Sequence, residues 1–253
     1  MGVTTDREEW TGAPSPGPGS SPRPPRRGRG RMAQAVSVFG ELLITAGLVL
    51  GLFVVYSLWW TNVIADRKAD QRGDKVRDHW AAEKNTGPGA LDTKDGIGFL
   101  HVPSMHNGEV LVEKGTSTEV LNDGVAGYYT DPVKSVLPMK GTTGNFALAA
   151  HRDGHGAKFH NIDKVRKGDP VVFETKDDWY VYKVFAILPQ TSKYDVKVLT
   201  AQPKEAGVSK PGHYITLTTC TPVYTSRYRY VVWGELERVQ KVDSERTPPK
   251  ELS

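Results

Sequence analysis

Cysteine is almost missing from this chain: Cys220 is the single one among 253 residues. No internal disulfide can form, and any thiol chemistry must fall on that residue. Apolar side chains are scarce over residues 1–31, where Pro, Gly, Ser and Arg dominate, a composition too poor to repay the entropy of ordering. Strong net charge is lacking as well. The formal balance is +4, and the basic residues gather in the N-terminal tail, not in a patch interleaved with aromatics. This argues against nucleic acid as a partner. No internal repeat is evident.

What is present begins with a long apolar run. From Leu42 to Trp60 the chain reads LLITAGLVLGLFVVYSLWW, with no charge inside. That is roughly the 20 residues needed to cross a hydrocarbon layer. Thr45 and Ser57 are its only clearly polar side chains apart from Tyr56, so it lacks the polar face of a core helix. Bulky Leu58, Trp59 and Trp60 close it where a cleaved signal peptide would end in small residues. Arg23, Arg26, Arg27, Arg29 and Arg31 precede the span, which by the positive-inside rule puts the N-terminus in the cytoplasm and the rest outside.

The expected organisation is a disordered tail over residues 1–36, a membrane helix over 37–61 and an extracellular linker over 62–95. A folded domain over 96–240 and a flexible tail over 241–253 complete it. In the linker, ADRKADQRGDKVRDHW has the charge density of a solvated helix and TGPGA that of a flexible spacer. The folded part reads as short strands rich in β-branched and aromatic residues: IGFLHV, EVLVEKG, NFALAAH, PVVFETK, WYVYKVFAIL, YITLTTC and YRYVVWGEL. Turn residues separate them, which indicates an all-β barrel or sandwich. STEVLNDG and FHNIDKV fit single helical turns.

Chemistry is legible at three strand ends. Alternation along Tyr214–Cys220 puts Ile215 and Leu217 on one face and Thr216, Thr218 and Cys220 on the other. Cys220 thus ends a strand on its polar face, just before Pro222. A free thiol of pKa about 8.5 is only a few per cent thiolate at neutral pH and needs a proton acceptor or a nearby cation. His151 ends the apolar strand NFALAAH and can take and return a proton. Arg227 and Arg229 share a face at the start of the last strand, and either can stabilise an oxyanion. Each has a bland alternative, since the chain holds 7 His and arginines at strand starts are usually solvated.

Taken in order, GTTGNFALAAHRDGHGAKF, NIDKVRKGDPVVFETKDDWYVYKV, TLTTC and RYRYVVWGEL resemble the sortases, from about Ile97 to Leu236. TLTTCTP, the Pro/Gly/Arg-rich tail and the single span resemble most the class E enzymes of actinobacteria. The resemblance implies an eight-stranded sortase-type β-barrel with short helices, in which Cys220 is nucleophile, His151 the proton-transfer group and Arg229 the cationic stabiliser. Arg229 is preferred to Arg227 by alignment of YVVWGEL with the family's last strand. Tyr128 and Thr218 are expected to line the substrate groove.

The implied activity is cysteine transpeptidation. A sorting signal of LPxTG or, for class E, LAxTG type at the C-terminus of a secreted protein is cleaved after Thr through a thioacyl enzyme. The acyl group then passes to an amine of a peptidoglycan precursor, with no cofactor and no metal. Other readings fit less well. The L,D-transpeptidases set their Cys in a small-residue loop near His and Gly, unlike TLTTCTPVY. A metal site at His151 and His155 has Arg152 where a zinc protease has Glu, and Gly154 and Gly156 weaken the required helix. A membrane-tethered binding domain with an incidental thiol is the non-enzymatic alternative.

Overall fold

The computed structural model describes residues 30–82, 96–138 and 142–252. Two units divide the chain at Leu50 and Gly51. In the first, residues 31–50 are helical and expose their apolar side chains. They open α1 (Arg31–Ala82), the one helix among the described residues long and apolar enough to cross a membrane.

In the second unit, eight strands close a barrel: β1 (Gly98–His101), β2 (Glu109–Lys114), β3 (Ala126–Tyr128), β4 (Gly144–Ala149), β5 (Pro170–Glu174), β6 (Asp178–Ser192), β7 (His213–Thr221) and β8 (Tyr228–Lys241). Their order around the wall is β1-β2-β3-β4-β7-β8-β6-β5. Pairing is antiparallel except for β2 with β3 and β4 with β7. The expected helical turns appear as α2 (Thr118–Leu121) and a 3₁₀ turn at Ile162–Lys164.

Alternation decides which side chains fill the barrel. Leu100, Phe146, Leu148, Phe173, Ile215 and Leu217 point inward and are fully buried. Their neighbours Phe99 and Leu111 point outward, yet they are buried too, because a helix covers them. That helix is the C-terminal part of α1, where Ala69, Val76 and Trp80 lie on Phe99, Leu111 and Val125. The Trp80 ring meets Phe99 edge-on at 5.6 Å, and the Arg77 guanidinium sits 4.1 Å from the Phe99 ring centre.

The charged part of the linker is a helix, as expected, but one of its faces is packed and not solvated. Residues 62–82 continue the helix and pack on the barrel, and 83–95 lie outside the described residues. Charge density concealed an apolar stripe at Ala65, Ala69 and Val76, whose spacing of four and seven keeps it on one face. The tail differs as well. Arg246 donates to Glu174, Arg238 pairs with Glu251, and Leu252 packs beside Val172, Trp179 and Val181. Of the tail expected over 1–36, residues 31–36 are helical and 1–29 are outside the described residues.

Candidate active site

β4 and β7 run parallel, with Ala149 opposite Thr218. His151 and Cys220 each lie two residues beyond that pair, so both emerge at the same barrel rim. β7 and β8 run antiparallel, and there Cys220 is the direct partner of Arg229. Direct partners project to the same face with Cβ atoms about 5 Å apart. Cys220, His151, Arg229 and Thr218 all line one cavity of about 380 Å³.

The threonines of TLTTC fasten this rim. Thr216 Oγ1 donates to Asn145 Oδ1 at 2.8 Å, Thr218 Oγ1 to the Leu148 carbonyl at 3.0 Å, and Thr219 Oγ1 to the Ala150 carbonyl at 2.7 Å. Each supplements the β4–β7 ladder with a side-chain bond. All three hydroxyls are buried and satisfied, which makes the strands a rigid platform for the residues at their ends.

His151 stands outside β4, at the start of a loop. Its Nε2 lies 2.9 Å from Asn122 Oδ1. Burial pushes the imidazole below its ordinary pKa, and nearby His155, with ring centres 5.4 Å apart, pushes the same way, while Asp153 opposes them. The ring is therefore mainly neutral at pH 7 and able to accept a proton. Arg152 is buried beside it, donating to Thr221 Oγ1 at 2.9 Å and pairing with Asp163 at 3.0 Å. This stitches the His151 loop to the end of β7.

Arg229 is half-buried, with Nη1 donating to the Tyr228 and Ser226 carbonyls at 3.1 and 3.3 Å. Those bonds fix the guanidinium at the cavity. Arg227 is exposed, 5.7 Å from the Tyr228 ring, and is not among the lining residues. Alternation does not carry back to it because β8 begins only at Tyr228.

Tyr128 does not line the cavity. It is buried in the barrel core near Phe146 because it shares the inward face of β3 with Ala126. The residue after it, Tyr129, lines the cavity instead, with its hydroxyl 2.9 Å from Thr218 Oγ1. Since the Thr218 proton is committed to Leu148, Tyr129 is the donor. Burial raises the Tyr129 pKa, against the Arg229 charge, which lowers it.

Sequence reasoning also missed the far wall. A 3₁₀ turn at Val196–Leu199 presents Val196, Val198 and Leu199 to the cavity. Asn145 Nδ2 donates to the Leu199 and Thr200 carbonyls, and Trp233 Nε1 to that of Val198 at 3.0 Å. The cavity thus combines apolar Val196, Val198 and Leu199 with polar Lys193, Asp195, Thr218, Cys220 and Arg229.

Among the described residues one cluster has metal-ligand chemistry: His101, Glu109 and Glu174 offer atoms within 4.8 Å of one another. Its charge is already answered, because Arg77, Arg246 and His101 all bind Glu174. It lies away from the cavity of Cys220 and shares no lining residue with it.

The family profile described as Sortase domain matches residues 100–237. Sortase SrtE2 of Streptomyces coelicolor is 69% identical, and the match covers 100% of both chains. Among solved structures, that of sortase E1 from Streptomyces coelicolor with a tripeptide in the active site is 42% identical, with a TM-score of 0.58 over 62% of this chain and 96% of that one. Sortase E from Streptomyces avermitilis is 34% identical, with a TM-score of 0.54 over 62% of this chain and 97% of that one.

Proposed function

The chain belongs to the sortase family of cysteine transpeptidases, of the actinobacterial class E kind, and we propose that it joins secreted proteins to the cell wall through Cys220, His151 and Arg229. The observation that carries this reading is the direct pairing of Cys220 with Arg229 on a cavity that His151 also lines.

In the proposed reaction, His151 takes the thiol proton of Cys220, and the thiolate attacks the carbonyl carbon of Thr in a sorting signal of LAxTG or LPxTG type. Negative charge then develops on the carbonyl oxygen, where Arg229 donates hydrogen bonds. Collapse of the tetrahedral adduct breaks the Thr–Gly C–N bond. His151 passes its proton to the departing amine, leaving a thioacyl enzyme. An amine of a peptidoglycan precursor next attacks the thioester and forms a new C–N bond as the C–S bond breaks. The amine's proton goes through His151 back to the sulfur. Tyr129, Thr218 and the wall at Val196–Leu199 are proposed to hold the signal peptide.

The enzyme is proposed to work outside the cell, anchored by residues 37–61 with residues 1–36 in the cytoplasm, as the Arg-rich N-terminal flank and the apolar run support. Incubating the protein with a signal peptide and an amine acceptor, and finding by mass spectrometry a thioacyl adduct on Cys220 followed by ligated product, tests the whole scheme. Hydrolysis by a Cys220→Ala variant would exclude it.

A further inference from the structure

We infer that the turns of α1 from Asn62 to Arg72 act as a positioning element for His151, docking both the loop that carries the imidazole and the loop that supplies its hydrogen-bond partner. The inference rests on the proposed role of His151 as proton-transfer group.

His151 is not held by the barrel ladder, because β4 ends at Ala149. The loop after it has left-handed backbone at Gly154, His155, Gly156 and Ala157. Such a run has alternative conformations unless something external selects one. α1 supplies that selection on one side. Asn62 Oδ1 accepts the Gly156 amide hydrogen at 2.9 Å, and Asp66 pairs with Lys158 at 2.8 Å. The approach is so close that a Cβ on Gly156 would lie 2.9 Å from Asp66 Oδ1.

The same face of α1 holds the other loop. A Cβ on Gly124 would lie 2.8 Å from the Ala65 carbonyl oxygen, and Asp123 pairs with Lys68 at 3.0 Å and with Arg72. Immediately before them, Asn122 meets His151 Nε2. A closed circuit results, running from α1 through Asp123 and Gly124 to Asn122, then His151, Gly156 and Lys158, and back to α1. The ion pairs in it are partly exposed and individually weak. The close packing and the Asn62–Gly156 bond therefore carry the positioning. A catalytic group misplaced by about 1 Å can lose on the order of 100-fold in rate.

The test compares Asn62→Ala, Asn62→Asp and His151→Ala in the full chain in detergent micelles, on fluorogenic peptides carrying LAxTG and LPxTG. Ala removes the acceptor while favouring the helix, so the fold is not at risk. Asp keeps an oxygen for the Gly156 amide. The expected result is near-complete loss for His151→Ala and a fall in kcat of about tenfold or more for Asn62→Ala, with KM within about twofold. Asn62→Asp should stay within about threefold of the parent, and the melting temperatures of both Asn62 variants should match it. If Asn62→Ala keeps full kcat, or if Asn62→Ala and Asn62→Asp are equally slow, while His151→Ala is dead, the positioning role is overturned. An active His151→Ala would instead overturn the assignment of His151 itself.

Discussion

Cys220 and Arg229 are direct partners across the β7–β8 ladder, whereas Arg227 precedes the first residue of β8. The register thus separates two arginines that alternation alone places on one face. Arg229→Lys is expected to lower kcat about 100-fold, because an ammonium cannot reproduce the directed donors of a guanidinium at an oxyanion. Arg227→Lys is expected to stay within about twofold. Steady-state kinetics on one peptide, with circular dichroism to confirm folding, distinguishes them, and the reverse ranking would exchange their roles.

Cys220 is half-exposed at the cavity, so replacing its sulfur leaves little unfilled core. Cys220→Ala should abolish cleavage while shifting stability by less than about 1 kcal/mol. A variant that is inactive because it has unfolded would show a lowered melting temperature and a lost near-ultraviolet signal.

The underside of the helix gives a stability prediction. Without residues 62–82, Phe99, Leu111 and Val125 lose their cover, and each such side chain is worth about 2 kcal/mol when fully buried. A chain beginning at residue 61 should therefore be more stable than one beginning at residue 96 by several kcal/mol. Urea unfolding of the two measures this. Equal midpoints would mean that the contact contributes nothing.

Acid should act through Glu174. Burial alone would raise this carboxyl, but hydrogen bonds from His101, Arg77 and Arg246 outweigh burial and hold it at about 2, below the ordinary 4.5. Its folded-state pKa is depressed, so its contribution is complete above about 4.5 and is lost as pH falls toward about 2. The loss is on the order of 3 kcal/mol. Stability measured against pH should show this slope in the parent and lack it in Glu174→Gln. Parallel curves would mean that the carboxylate is not the acid-labile group.

Protease added to intact cells stripped of wall should digest the barrel and spare the N-terminal tail, as the positive-inside rule requires. The opposite pattern of protection would reverse the proposed topology.

Much of the barrel was legible in the sequence. β7 shows why: Ile215 and Leu217 alternate with threonines, and inward and outward faces followed directly. Cys220 and Arg229 were legible for the same reason, since both sit on regular strands. Tyr128 was misplaced in favour of its neighbour Tyr129 because β3 has only three residues, too few for alternation to fix parity. Asn122 and the wall at Val196–Leu199 belong to loops, whose partners are set by tertiary contacts and leave no local pattern. The helix on the barrel is legible as a helix, but its packed face is not, because its charged positions outnumber the small apolar ones that make contact.

The parallel pairing of β4 with β7 has a consequence for how such an enzyme can diversify. A parallel neighbour requires a long crossover, and here that crossover contains β5, β6 and the wall at Val196–Leu199. The pairing of β4 with β7 brings the start of the His151 loop and Cys220 to one rim, whatever the length of what lies between them in sequence. The wall at Val196–Leu199, proposed above to hold the signal peptide, is tethered to this framework by Asn145 and Trp233. Under the proposed function, exchanges in the Val196–Leu199 stretch of the crossover retune which peptide fits while β4 and β7 stay paired, so selectivity and chemistry occupy separately variable stretches of one chain.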